Sequence, residues 1–479
     1  MKGLLIEDAQ IGGTLTSLRV RDGRIHALGR DLVPEPGEAR LAADGGALLP
    51  GLNDHHIHLF ALAAAQNSLD CGPGACPDSA ALGRALGEAT ARAKKQGAGE
   101  GWVRGVGYHE SVAGALDRDR LDAWAPRAPV RIQHRSGALW MLNSAALAAL
   151  GIADSDALPA GAERDARGRP TGRLHRLDGW LRERLGPRRA PDLGPVGRAL
   201  ARLGVTGACD ASPGNGPGEL ALFTRAARSG ALPQALCLMG SPSLPEPDHP
   251  RIRRGAVKIM LDEDKLPSET ELVARIRKAH AQGRGVAVHC VTRAELVMAA
   301  HGHEQAGPVA LDRIEHASLA PPDAVDWLAR LGVTVVSQPN FLHERGDSYR
   351  KDVEARDQPW LYRGRGFLDA GVPLGAGTDA PFGACDPWAA MRAAVHRRTA
   401  SGEPMRAEEA LAPERALALF TSRLEAPGRA RGPLAPGQDA DLVLLDRPWQ
   451  AARERLDPAD IRATLARGEF IWQREPEES

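Results

Sequence analysis

Aromatic residues make up only 4% of the 479 positions, and lysine is scarcer still. Seven of the 61 basic side chains are lysine and the other 54 are arginine. This loading with Arg, Ala and Gly reads as codon bias and carries no function by itself. A charge of one sign is also lacking, because 61 Lys+Arg balance 61 Asp+Glu. That balance argues against nucleic acid or an anionic membrane surface as the main partner. No run approaches the ~18 apolar residues of a membrane-spanning helix. The opening MKGLLIEDAQ meets Glu7 and Asp8 too soon for the apolar core of a signal peptide, so a cytoplasmic protein is expected.

Six cysteines are too few for a disulfide scaffold. Cys71 and Cys76 form one Cys-x4-Cys pair with no second pair near by, a weak zinc signal. Cys209, Cys237, Cys290 and Cys385 lie in or beside apolar segments and read as buried free thiols. What remains is a globular balance, 43% hydrophobic and 25% charged, which excludes disorder, collagen and coiled coil. At about 150 residues per domain, the length allows two or three domains.

Both ends read as short strands with turns. Asp22-Gly23 between apolar runs signals a hairpin near the start, and Pro436-Gly437 and Gly468 mark turns near the end. Residues 1–49 and 425–479 are therefore expected to form one small composite β-sandwich. The middle alternates apolar strands with amphipathic helices. Strand candidates are 48–59, 205–210, 235–240, 256–261, 285–290, 313–317, 333–338 and 372–379. The helical stretch 268–283 has Ser268 as a plausible N-cap and Gly283 at its end. Eight such units over ~250 residues predict an α/β fold, a (β/α)8 TIM-like barrel over 50–424. Residues 65–200 break the repeat and read as an insertion after the first barrel strand. Loops at the carboxyl ends of barrel strands carry chemistry, so this subdomain is expected to cover the substrate.

Five strand ends carry unusual residues. In Asp54-His55-His56-Ile57-His58, alternation puts Asp54, His56 and His58 on one face. Two imidazoles there suit Zn²⁺, although a polar strand end with surface histidines explains the pair equally simply. Lys258 stands inside the apolar GAVKIML. Lysine is almost never buried alone. It either snorkels or pairs with Asp262 or Glu263, or its neutral amine takes up CO2 as a carbamate that bridges two metals. His289 and His316 close successive strands, where a lone histidine is usually structural. Asp379, before a Pro/Gly loop, suits a metal ligand that shuttles protons, or a helix N-cap. One barrel mouth accounts for all five positions together.

The ordered series resembles the amidohydrolase superfamily, in particular the amidohydrolase-3 branch of YtcJ-like and N-substituted formamide deformylase-like proteins. The resemblance spans nearly the whole chain. It rests on PGLNDHHIHL (50–59), GWVRGVGYHE (101–110), NSAALAALGI (143–152), GVTGACDASP (204–213), VKIMLDE (257–263), VAVHCVT (286–292), RIEHASLA (313–320), SQPNF (337–341), GTDAPFG (377–383) and PLAPGQDADLVLLD (433–446). It implies a metal centre at the carboxyl face of the barrel. His56 and His58 would bind the more buried metal, carboxylated Lys258 would bridge, His289 and His316 would bind the second, and Asp379 would bind the first metal and the nucleophilic hydroxide. Without a carbamate, one metal on His56, His58, His289 or His316, and Asp379 is the alternative. The branch often has a histidine after its HRSG-like segment, where this chain has Ala138 and Leu139.

The reaction this implies is hydrolysis of an amide-type, non-peptide carbon–nitrogen bond in a small molecule, with Asp379 as shuttle. Tyr108, His109, His134, Arg135, Trp140, Gln338, Asn340 and His343 are the candidate substrate contacts. Competing readings are a lyase or decarboxylase on the same scaffold, and a non-catalytic dihydropyrimidinase-like scaffold protein. A homodimer is expected by association alone.

Overall fold

The computed structural model describes residues 3–96, 101–154, 157–186 and 190–475. A few positions of the segments 1–49, 65–200 and 425–479 thus lie outside the described residues. The chain packs as two compact units, one made of Met1–Leu59 with Asp192–Ser479 and the other of Phe60–Pro191.

The first unit is built on eight parallel strands, which we number β1 (Leu52–Ile57), β2 (Val205–Asp210), β3 (Ala235–Gly240), β4 (Ile252–Met260), β5 (Val286–Cys290), β6 (Arg313–His316), β7 (Thr334–Ser337) and β8 (Leu374–Ala376). They pair in sequence order. The seam between β8 and β1 is drawn shut just past the strands. Asp379 N–H donates to the His56 carbonyl at 2.7 Å, and His58 N–H donates to the Ala380 carbonyl at 2.9 Å. Gly377 permits this approach, because a Cβ there would stand 2.3 Å from His56 N. The Asp54 carboxylate adds a further tie, accepting from the Thr378 hydroxyl, from Thr378 N at 3.0 Å and from His56 N at 3.1 Å.

Helices cross between most strands. Glu269–Ala281 begins as its sequence indicates, with Ser268 and Glu271 capping each other, and Gly283 just beyond it turns left-handed at φ 69°. The expected strand 48–59 divides at Gly51. Leu48–Pro50 pairs antiparallel with Leu442–Leu445, and only Leu52–Ile57 enters the barrel. A Cβ on Gly51 would strike Thr206 Oγ1 at 2.1 Å, so the chain bends here against β2. Periodicity alone could not reveal this change of partner.

Two four-stranded sheets complete the unit. One orders Arg24–Gly29, Thr14–Arg21, Leu4–Ile11 and Ala39–Ala42; the other orders Glu469–Gln473, Ile461–Ala466, Leu442–Leu445 and Leu48–Pro50. Leu4, Ile6 and Leu18 of the first share one apolar core with Leu442, Leu444 and Leu465 of the second. Asp22 and Gly23, at φ 50° and 76°, form the expected two-residue hairpin turn.

The second unit holds a six-stranded mixed sheet. Val130–His134 and Leu139–Leu142 fold back antiparallel, with Gln133 opposite Trp140. All six cysteines are free thiols, five buried and Cys385 half-buried. No helix among the described residues is long and apolar enough to cross a membrane.

Candidate metal centre

His56 sits in β1, and His58 follows it. His56 is fully buried. Its Nε2 lies 3.5 Å from Asp379 Oδ1, and His58 Nε2 lies 3.3 Å from the same oxygen. Asp379 caps no helix; Asp386 caps the next one, Pro387–His396. Asp379 adopts φ 55°, a left-handed backbone that an aspartate tolerates at some cost, and this turns its carboxylate toward the histidines. His316 is left-handed too, at φ 69°. Strand alternation should send Glu315 and His316 to opposite faces. The left-handed turn defeats that rule. Glu315 meets His56 Nδ1, while the His316 ring lies 4.8 Å from the His56 ring and 4.6 Å from the His289 ring. One ligand atom each from His56, His316 and Asp379 falls within 4.8 Å of the others.

Lys258 lies on β4, opposite Ala287 of β5. Its Nζ is buried and has no hydrogen-bond partner among the described residues, so neither Asp262 nor Glu263 accepts from it. Burial pushes the amine down, with Arg313 adding to that and Glu315 opposing it. Burial, then the charge of Lys258, pushes His56 down to about 3. Burial also lowers His289 and His316. Burial by itself would raise the Asp379 carboxyl. Its contact with His58 at 3.3 Å and the imidazoles of His56 and His316 outweigh it and hold the group below the usual carboxylate range. Burial favours the neutral form of His56, His289 and His316 beside that carboxylate.

The amidohydrolase family profile matches residues 41–471. The chain belongs to the amidohydrolase family. It is similar along its whole length to the N-substituted formamide deformylase of Arthrobacter pascens, at 26% identity over 99% of each chain. It also resembles the putative amidohydrolase YtcJ of Bacillus subtilis strain 168, at 23% identity over 98% of each. Among solved structures, an uncharacterized metal-dependent hydrolase from Pyrococcus horikoshii OT3 has the same fold. Its TM-score is 0.73 at 21% identity, covering 98% of this chain and 100% of that one. Family membership makes the chain a hydrolase of carbon–nitrogen bonds.

In this amidohydrolase, several groups around the histidines do work that the sequence did not announce. Glu315 holds His56 Nδ1 and is itself paired with Arg313, which also donates to the His55 carbonyl at 2.7 Å. Ser212 Oγ lies 3.1 Å from His58 Nδ1. Gln338, expected near substrate, instead places its Oε1 2.6 Å from His316 Nδ1. A partner on Nδ1 sets the tautomer that leaves Nε2 for a metal. The signal for Arg313 and Glu315 was present in RIEH, where two charged residues alternate inside a buried strand.

The remaining expected contacts divide by environment. Asn340 is buried and donates to the Thr378 carbonyl at 3.1 Å, while His343 is exposed with Nδ1 3.3 Å from the Arg398 carbonyl. Tyr108 is buried with its hydroxyl on the Gly114 carbonyl, and Trp140 donates to Asp178 at 2.8 Å. Tyr108 and Trp140, with His109, His134 and Arg135, belong to the second unit.

Proposed function

We propose that this amidohydrolase cleaves an amide-type, non-peptide bond, linear or cyclic, in a small molecule, with Asp379 as the proton shuttle. The observation that carries the reading is the buried set in the barrel: Asp379 Oδ1 with His58 Nε2 at 3.3 Å and His56 Nε2 at 3.5 Å, and the unpartnered Lys258 Nζ close by. Buried polar atoms without partners are costly, and such a set fits a divalent cation. Borderline nitrogen and carboxylate ligands suit Zn²⁺. His56, His58 and Asp379 would hold one ion; His289 and His316 would hold another, with Lys258 as a bridging carbamate. A neutral Nζ adds to the carbon of CO2 and loses one proton, leaving the anionic carbamate. If Lys258 stays an amine, a single ion on His56, His58, His289 or His316, and Asp379 remains.

When bound, the metal supplies Lewis-acid polarisation of the carbonyl and brings the pKa of water from 15.7 to roughly 7. Asp379 does the rest. Its carboxylate accepts the proton of the attacking water and delivers it to the leaving nitrogen. His58 steadies Asp379 through the contact at 3.3 Å, and Glu315 keeps His56 in register. N-substituted formamides, the named substrates of the Arthrobacter relative, are the first class to screen.

Elemental analysis of wild type beside Lys258→Ala tests this. About two Zn²⁺ in the barrel, beyond any ion held by the second unit, are expected, falling to one or none in the variant. One barrel metal in both proteins would overturn the bridging role and leave the single-ion form.

A further inference from the structure

The inserted unit has a histidine–carboxylate cluster of its own. Its parallel strands Val103–Tyr108 and Val130–His134 end level, with Tyr108 opposite His134. Gly107, left-handed at φ 76°, shifts the register just ahead of that pair. Each strand then runs into the same short pattern, His109-Glu110-Ser111 in one and His134-Arg135-Ser136 in the other. In both, the histidine Nδ1 rests on the hydroxyl of the serine two residues on, at 2.9 Å and 2.8 Å. The rings lie 5.9 Å apart and 33° from parallel. Glu110 Oε2 is 3.0 Å from His134 Nε2. Buried Tyr108 pins the short helix Glu110–Ala113 through its hydroxyl on the Gly114 carbonyl. One ligand atom from each of His109, Glu110 and His134 lies within 4.8 Å of the others.

We infer that His109, Glu110 and His134 form a second site, on the inserted unit itself, for a divalent transition metal of the Zn²⁺ class. Two imidazoles and a carboxylate are zinc ligands, and three of them leave a fourth position for water. Metal-binding imidazoles donate their other N–H to a nearby acceptor. With a metal bound, the Ser111 and Ser136 hydroxyls would be those acceptors: a ring protonated on Nδ1 donates to the hydroxyl, and its Nε2 keeps a lone pair. Around a tetrahedral ion with bonds of ~2.0–2.1 Å, ligand atoms stand ~3.4 Å apart. His134 Nε2 and Glu110 Oε2, at 3.0 Å, stand slightly inside that spacing, and the three ligand atoms lie within 4.8 Å of one another. The opposite tautomer gives the rival arrangement. The backbone N–H groups of Ser111 and Ser136 lie 3.2 Å and 3.1 Å from the same Nδ1 atoms, and Nε2–H would then donate to Glu110 with no metal between.

The site stands independently of the barrel reading, and the test separates them. Full-length wild type, Glu110→Gln, a His109→Asn/His134→Asn double variant and His56→Asn are dialysed against micromolar Zn²⁺ and analysed for metal. Glu110→Gln and the double variant are each expected to hold one Zn²⁺ fewer than wild type. His56→Asn is expected to keep that ion while losing metal elsewhere. Equal counts in wild type, Glu110→Gln and the double variant would overturn the site. Should the double variant misfold by circular dichroism, anomalous diffraction at the zinc edge from Zn²⁺-soaked wild-type crystals decides. A peak between the three side chains is expected, and its absence there sinks the inference.

Discussion

The barrel interior and the two-sheet body bury strands of opposite character. Where the terminal sheets meet, the shared core is Leu4, Ile6, Leu18, Leu48, Leu442, Leu444 and Leu465, all apolar. At the mouth of the barrel the buried side chains include His56, Lys258, Arg313, Glu315, His316 and Asp379. The first arrangement gains from taking apolar area out of water. The second costs free energy unless each charge finds its partner, and buried ion pairs seldom repay their desolvation. A cluster that expensive, built on left-handed backbone at His316 and Asp379, is explained by chemistry rather than by stability. The two regions should therefore fail in different ways when altered.

The sharpest contrast lies at Asp379. Asp379→Asn removes the proposed proton acceptor while keeping the shape, and turnover should fall by ~10²–10⁴ with metal still bound. Loss of metal and fold together would remove the shuttle role. Next in size is the reverse case, Leu444→Ala in the two-sheet core. It should destabilise by ~2–5 kcal/mol in urea titrations, with metal content per folded chain unchanged. A change in metal stoichiometry there would break the division between the two regions.

Glu315→Gln probes the link between burial and function. It weakens the hold on His56 Nδ1 and leaves Arg313 without its ion-pair partner. Metal affinity, measured by chelator competition, should drop ~10–100-fold. A variant that binds metal like wild type would show that His56 needs no orienting carboxylate.

The smallest effect is expected at Glu409, away from the mouth. It accepts from Arg363 at 2.7 Å and from the backbone N–H groups of Gly364 and Gly366 at 3.1 Å and 2.8 Å. Burial alone would raise its carboxyl, but these donors hold it below the ordinary glutamate value. A carboxyl lowered in the folded state stabilises fully above the unfolded value and loses that contribution as pH falls through the folded one. Wild type should thus lose stability as pH falls below about 4.5, and lose more of it than Glu409→Gln does. Parallel acid-titration curves for the two proteins would contradict this.

Local features were legible in the sequence because they are set by neighbouring residues. The Asp22-Gly23 hairpin, the Ser268 cap and the left-handed Gly283 all depend on a few consecutive side chains. The order and type of the six residues at the barrel mouth were legible too, since each stands out against an apolar strand. Their supports were not. Glu315 reaches His56 across 259 positions, and Gln338 turns to His316 across 22. Gln338 looked like a substrate contact because nothing in SQPNF says which way an amide points.

The sequence by itself determined the parallel β/α alternation, the family and the chemical kinds of group gathered at the mouth. Hydrophobic period and residue type carry that information directly. Tertiary structure alone decided the break at Gly51, the seam through Asp379 and His56, and the left-handed turn that brings Glu315 and His316 to one side. Those depend on how closely distant backbones approach, and that is settled only when the strands pack side by side.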